Sequence, residues 1–502
     1  MSSPEDEGVP WQRLHPLMLV VSPVQELVRF FPLVIAAIIW SASSTDDGGW
    51  PWQWLGVGLP IAMGLWTYLT TRWRITPTQI QLRRGLIGHT TKVAPLDRVR
   101  GVELTATLIH RMLGLSRVRI DTGESAALGR EAGFQLDSMQ TAQAQELRRL
   151  LLHRSEPDYP GGIDPDEPEQ SGSTRAETLL SFTPTWARFA PLTTSGVVLL
   201  GAGLALAGQI LGPGLEQVDE SALEHLQIAT WLLVAIGLVG LVSILVVFPM
   251  AGYLVANWGF RLTKDAQDNS YHVRRGLFTT QETSLDCDRI RGVELHQTLP
   301  ARFASAGSLN ALVAGLPAGE STDQGASPLT PLAPLAACTS VAGQVLRSAG
   351  PMEMELIAHG PLAARRRWNR VALTFLPLVG LMVGMILWFE LWLALLAIPG
   401  LMLVAGAFLA VDRYRQLGHG HLDGYLVVAS GSLLHQRSAL ATDAIIGWNF
   451  RQSFFQRRQG LITLDATVAT SDGCVTALDL SQEASVSLAS QVTPELLGPF
   501  LK

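Results

Sequence analysis

The side chains best suited to chemistry in this 502-residue chain are arginines. They come in close pairs: Arg83 with Arg84, Arg98 with Arg100, and Arg117 with Arg119. A guanidinium presents a planar fork of N–H donors that meets phosphate or carboxylate oxygens two at a time. Such pairs suit an anionic headgroup or an acidic partner. They also suit a plainer role, as solvated outer faces of strands, some paired with Asp97, Glu103 and Asp121. Arg98 beside Asp97 fits the fixing of a turn. Residues 72–154 hold 14 Lys/Arg against 7 Asp/Glu, residues 259–350 hold 8 against 8, and residues 412–502 hold 7 against 8. On charge alone, anion contact belongs to the first of these segments.

Little else in the chain is arranged for chemistry. His419 and His421, with Asp423, are the one group that raises a metal or a titratable cluster, and a polar loop explains them as well. There is no GxSxG elbow, HExxH, Walker loop or DxDxG motif. No cofactor and no metal are called for, and the reading is non-catalytic. Cys287, Cys338 and Cys474 are odd in number and scattered, which predicts reduced thiols on a cytosolic side. A net charge of −6 argues against a nucleic-acid partner. The acidic start of the chain, with no small-residue cleavage site after the first apolar run, does not read as a cleavable signal.

What positions the arginines is a repeat. Residues 83–104, RRGLIGHTTKVAPLDRVRGVEL, match residues 274–295, RRGLFTTQETSLDCDRIRGVEL, at 11 of 22 positions without a gap. Gly85, Gly276 and Gly431 are 191 and 155 residues apart, and Asp97, Asp288 and Asp443 keep both offsets. So do Gly101, Gly292 and Gly447, and Arg111, Arg302 and Arg457. The third copy keeps the glycines and aspartate and loses the paired arginines.

Within a copy the pattern is β. In RVRIDT (117–122), Val118 and Ile120 alternate with Arg117, Arg119 and Asp121, which predicts a strand with the apolar pair inward. IQLRR and LIGHTTKV flank Gly85 as a hairpin with the glycine at positive φ. The alternation changes phase across Gly101, which predicts a β-bulge there. TAQAQELRRLLLHR (141–154) predicts a closing helix with Leu147, Leu150 and Leu151 on one side. In the second copy, LVAGLPAGESTDQGASPLTPLAPLAA (312–337) predicts loosened or missing later strands.

Between the copies lie apolar stretches. The chain is 48% hydrophobic and 16% charged, against about 25% charged for an average soluble domain. Six stretches suit membrane spans of about 20 residues: about 30–44 and 52–71, 189–211 and 228–250, and a run over 371–411 that folds back at WFELW (388–392). The three intra-pair loops hold no Lys or Arg, while Arg72, Arg74, Arg188, Arg261, Arg365–Arg367, Arg370, Arg413 and Arg415 flank the spans. That bias predicts outward hairpin tips, with both termini and the long segments on the cytoplasmic side. The acidic, proline-rich stretch 155–174 predicts a disordered linker.

The pattern W-R-I-T…I-x-L-R-R-G…P-L-D-R-V-R-G-V-E…R-M-L-G-L-S-R-V-R-I-D-T-G over 73–123, with RLHPL at 13–17, resembles bacterial PH-domain membrane proteins of the YdbS–YdbT type. The resemblance is specific in the first copy, good in the second and weak in the third. It implies an α+β membrane protein in which six transmembrane helices, in three hairpins, alternate with three PH-like antiparallel β-sandwich domains each closed by a helix. The expected layout is a first hairpin within 1–71, PH-like domains at 72–154, 253–350 and 413–502, a disordered acidic linker at 155–180, and hairpins within 181–252 and 351–412. The expected role is non-catalytic contact with membrane lipids or a membrane protein partner at the bacterial inner membrane, bearing on envelope integrity. Tethering each domain to the bilayer favours the protein partner. The alternative is a transporter or export factor for an amphipathic substrate, with a polar cavity at Thr193, Thr194, Ser195 and Ser243.

Overall fold

The computed structural model describes residues 11–13, 16–18, 65, 68–76, 79–84, 90–95, 101–121, 134–153, 177–193, 196, 237, 239–240, 243, 246–266, 269–314, 327–389, 393–469 and 473–497. The chain divides into two units. The first comprises residues 1–178, 258–288 and 315–317, and the second comprises 179–257, 289–314 and 318–502. The second repeat is therefore divided between them.

In the first unit, β1 (Gln12–Arg13), β2 (Arg72–Ile75), β3 (Gln79–Arg84) and β4 (Thr90–Pro95) form an antiparallel sheet in that order. β5 (Gly101–Ala106), α1 (Leu108–Met112), β6 (Leu115–Asp121), β7 (Phe134–Gln140) and α2 (Thr141–His153) follow. Trp73, Ile80 and Leu82 from the first sheet bury against Val102, Leu104, Val118, Ile120 and Leu136, with Ala144 and Leu147 of α2 closing the core. This is a two-layer sandwich capped by a helix. Val118 and Ile120 are inward as their alternation predicts. Arg117 and Arg119 are half-buried rather than outside, with Arg119 directly across from Glu103.

The surrounding sheet does not stop at β5. β8 (Glu177–Ser181), β9 (Arg261–Asp265), β10 (Ser270–Arg275) and β11 (Thr280–Asp286) extend it, in the order β7-β6-β5-β11-β10-β9-β8. β11 belongs to the second repeat, so the edges of adjacent repeats are joined by backbone hydrogen bonds.

The second unit repeats the device. β12 (Ile290–Thr298), α3 (Leu299–Phe303), β13 (Ala306–Val313), β14 (Pro328–Pro334) and α4 (Leu335–Leu346) complete the second repeat. β15 (Gly418–Leu422), β16 (Tyr425–Gly431) and β17 (Leu434–Ala441) begin the third, and the sheet order is β14-β13-β12-β17-β16-β15. β18 (Ile445–Arg451), α7 (Phe454–Arg457), β19 (Leu461–Val468), β20 (Cys474–Ser481) and α8 (Gln482–Val492) close the third repeat. Leu426, Val428 and Leu440 pack on Ile445, Leu464, Ala466, Leu480 and Leu488.

The strands expected to be lost from the second repeat form. β14 reads PLTPLAP and tolerates three prolines because it lies at the edge of its sheet, where an outward backbone position needs no N–H. The predicted bulge is seen in two repeats, as register shifts at Ile290/Gly292 and Ile445/Gly447. Gly276 and Gly431 have φ of 105° and 101°, and a Cβ at either would sit 1.9 Å from a carbonyl oxygen across its hairpin. Gly85, Asp97 and Arg98 lie outside the described residues. Their counterparts Asp288 and Asp443 each occupy a single 3-10 turn leading into the bulged strand.

Two helices, not six, are long and apolar enough among the described residues to cross a membrane: α5 (Pro361–Trp388) and α6 (Ala397–Arg415). They form the third expected hairpin and leave Leu373, Leu381, Met385, Leu401 and Val404 exposed. The stretches 30–44, 52–64 and 197–236, and Glu390, lie outside the described residues. The span expected from 189 begins instead as a 3-10 segment, Pro184–Leu192, with Pro191 inside it and Trp186 and Phe189 buried. The stretch expected to end at 250 continues as a helix, Val246–Asn257. Of the linker expected to be disordered over 155–180, residues 155–176 lie outside the described residues, and the end is instead ordered as β8, Glu177–Ser181, paired into the sheet of the first unit.

Buried ions and imidazoles lock the hairpin to the second and third repeats. Arg366 and Arg367 at the start of α5 both bond Asp479, Arg367 at 2.8 Å. At the end of α6, Asp412 takes a bidentate pair from Arg302 (2.9 and 3.1 Å) and a bond from Ser432 Oγ (2.7 Å). His359, just before α5, has its ring centroid 5.0 Å from that of His419 with the rings tilted at 56°, and its Nδ1–H donates to the Leu478 carbonyl at 2.7 Å. Burial first, and His419 second, push His359 down to about 4.

Gly431→Ala is expected to destabilise the protein by at least about 1–3 kcal/mol, from the positive φ and the carbonyl clash together; comparative denaturant unfolding checks it. Arg302→Ala is expected to cost about 2–3 kcal/mol by stranding Asp412, with part restored when Asp412→Asn is added. His359 binds a proton more readily unfolded, at about 6.5, than folded. Its contribution is therefore fully present above pH 6.5 and lost as pH falls toward 4, on the order of 3 kcal/mol in all. His359→Gln should flatten the stability–pH curve across that window.

Candidate functional site

The concave basic surface of the first unit is built where the first and second repeats join. β9, β10 and β11 carry one cross-strand row, in which Arg261 stands opposite Arg274 and Arg274 opposite Glu282. The next residue in that row is Leu104 on β5, which faces the core of the first sandwich. Directly opposed residues share a sheet face. The face that is core beneath α2 therefore continues, past the end of α2, as an open polar surface.

There it becomes a cavity of about 620 Å³ lined by Arg111, Arg148, Arg261, Arg274, Arg275, His272, Trp258 and Glu282, among others. Five guanidiniums face one carboxylate. Glu282 takes Arg274 Nε at 3.3 Å and Arg148 Nη1 at 3.5 Å. Arg111 Nη1 donates to the Leu277 carbonyl at 2.9 Å, and Arg275 Nε donates to Gln281 Oε1 at 3.1 Å. Trp258 is held at the rim by its carbonyl, which accepts from Gly276 N at 3.0 Å. His272 is held between Ser270 and Ser284 (3.0 and 2.8 Å). The arrangement offers fixed forks and one aromatic wall to an anion.

Of the six arginines singled out from the sequence, Arg83, Arg117 and Arg119 do not line this cavity. Arg83 and Arg84 lie on β3, Arg117 and Arg119 on β6, and Arg98 and Arg100 lie outside the described residues. The cavity uses instead Arg274 and Arg275, the counterparts of Arg83 and Arg84 in the second repeat. Segment-wise charge counting hid them, because the neutral sum over 259–350 averages a basic hairpin with acidic strands elsewhere. The recurrence of RRGL was the signal available.

Other expected groups do not assemble. His419 is buried on β15, His421 is exposed, and Asp423 accepts from Ser348 Oγ at 2.7 Å in a turn. No group of three metal-ligating side chains occurs among the described residues. Cys287, Cys338 and Cys474 form no disulfide among the described residues, and burial raises the Cys338 thiol to about 11. The Thr193 and Ser243 hydroxyls bond backbone carbonyls of Ala190 and Val239, while Thr194 and Ser195 lie outside the described residues.

Comparison with known protein families gives two matches to one model, described as Bacterial PH domain, over residues 18–155 and 202–347. Each match ends within two residues of a closing helix, α2 in the first repeat and α4 in the second. Comparison with curated proteins and with solved structures finds no match. The two matched regions cover more than half of the chain and fall on the two repeats whose motifs are best kept, so the protein belongs to the bacterial PH domain family.

Proposed function

We propose that this chain is a non-catalytic membrane protein whose PH-like repeats contact anionic groups at the cytoplasmic face, and that the arginine-lined cavity between the first and second repeats takes a phosphate-bearing headgroup. The observation that carries the reading is the cavity itself, with five arginines, a tryptophan and a single carboxylate around about 620 Å³. That volume suits a small ligand rather than a protein surface. Guanidinium forks suit phosphate oxygens. The α5–α6 hairpin supports membrane attachment: its open end carries Arg365, Arg370, Arg413 and Arg415, the side the positive-inside rule assigns to the cytoplasm.

Binding of short-chain phosphatidylglycerol, and of inorganic phosphate in a parallel arm, to the full chain in neutral detergent tests this. The lipid should bind with an affinity that falls as salt rises. Arg261→Ser with Arg275→Ser, two positions that Glu282 does not neutralise, should weaken it at least about tenfold. Equal binding by the variant and the parent at low salt would overturn the assignment.

A further inference from the structure

Both joints between repeats use the same two strands in the same register. In the first unit β11 lies against β5, with Leu285 opposite Gly101 and Thr280 opposite Ala106. In the second unit β17 lies against β12, with Leu440 opposite Gly292 and His435 opposite Gln297. The repeat offsets of 191 and 155 convert one joint into the other, residue for residue. A side-chain bond goes with each. Arg111 donates to the Leu277 carbonyl at 2.9 Å, and its counterpart Arg302 donates to the counterpart carbonyl, Ser432, at 3.2 Å.

Three repeats joined twice leave one edge of each kind over. β4 of the first repeat corresponds to β11 and β17, and β18 of the third corresponds to β5 and β12. Both are terminal in their sheets. Each also carries features of a joint with nothing opposite among the described residues. Ser284 and Ala439 are fully buried where their strands pair, and Val93 at the same position of β4 is 46% exposed. Leu104 and Leu295 are 6% and 4% exposed, and Phe450 at the same position of β18 is 38% exposed. Gly292 has to be glycine because a Cβ would sit 2.1 Å from the Ala439 carbonyl oxygen, whereas its counterpart Gly447 has nothing within 4 Å and no positive φ. Arg457, the counterpart of Arg111 and Arg302, is exposed and its guanidinium meets no such acceptor among the described residues.

We propose that β4 of one chain pairs with β18 of a second copy in the register of the two internal joints, with Ala94 opposite Gly447, Val93 opposite Trp448 and Lys92 opposite Asn449. A second copy is the occupant because each chain offers both halves of a joint it already makes twice. The contact is heterologous, so it generates a ring or an open row rather than a two-fold dimer. Lys92, a residue type that deters indiscriminate edge pairing, then meets a neutral amide in place of a like charge.

The full-length protein in detergent tests this by two routes. Directly opposed residues in an antiparallel pair come close enough for a disulfide, so Lys92→Cys and Asn449→Cys chains, mixed under mild oxidation, should crosslink to each other and not to themselves. Mass photometry should find oligomers that depend on concentration. Gly447→Ala, which meets open space in the single chain, should leave its melting unchanged and weaken association at least about tenfold. A purified protein that stays monomeric, including one whose edges are taken by a different protein, would overturn the proposal. So would oligomers that ignore Gly447→Ala together with no crosslink specific to the mixture.

Discussion

A strand edge exposes a row of backbone N–H and C=O groups, and something has to satisfy them. In this protein the edge of one repeat is satisfied by the edge of the next. β5 needs β11 and β12 needs β17, and the local chemistry follows from that requirement. Gly292 leaves room for a carbonyl of the adjoining strand. Ser284 and Ala439 are small and buried because they lie at the seam. Arg111 and Arg302 reach over it to a backbone oxygen. The arginine-lined cavity is a by-product of the same joint, since it opens where the second repeat's sheet runs beyond the cover that α2 gives the first.

Charge does a different job in the second unit. Asp412 and Asp479 are buried or nearly so, and each is held by arginine at an end of the apolar hairpin. Such pairs add little net stability against their desolvation, but they are unforgiving of a lost partner. They fix where α5 and α6 leave the sandwich. The helices themselves turn leucines, valines and methionines outward, an arrangement that hydrocarbon satisfies and water does not.

Much of this was legible in the residues. The alternation in RVRIDT, the closing helix from Thr141 and the bulge at the repeat glycine were all readable, because period and glycine placement are local signals. The third hairpin was readable from one long apolar run. What escaped were features that depend on the partner strand. Nothing in 328–334 says that a proline-rich strand is tolerated at an edge. Nothing in Arg274 and Arg275, read within a neutral segment, says that Arg111 and Arg148, 126 to 164 residues earlier, face the same space. Arg111, Arg302 and Arg457 stood out by spacing alone, and only the joint gives that spacing a reason.

Each repeat carries one edge of each polarity, and the register is a property of the edge rather than of the repeat's place in the chain. A gene that gained or lost a whole repeat by unequal crossing-over would leave every remaining seam chemically complete. Copy number can drift in such a lineage without inventing an interface. The third repeat, which lacks the basic pairs, still carries at Gly447 and Arg457 the glycine and arginine that serve the seam at Gly292 and Arg302.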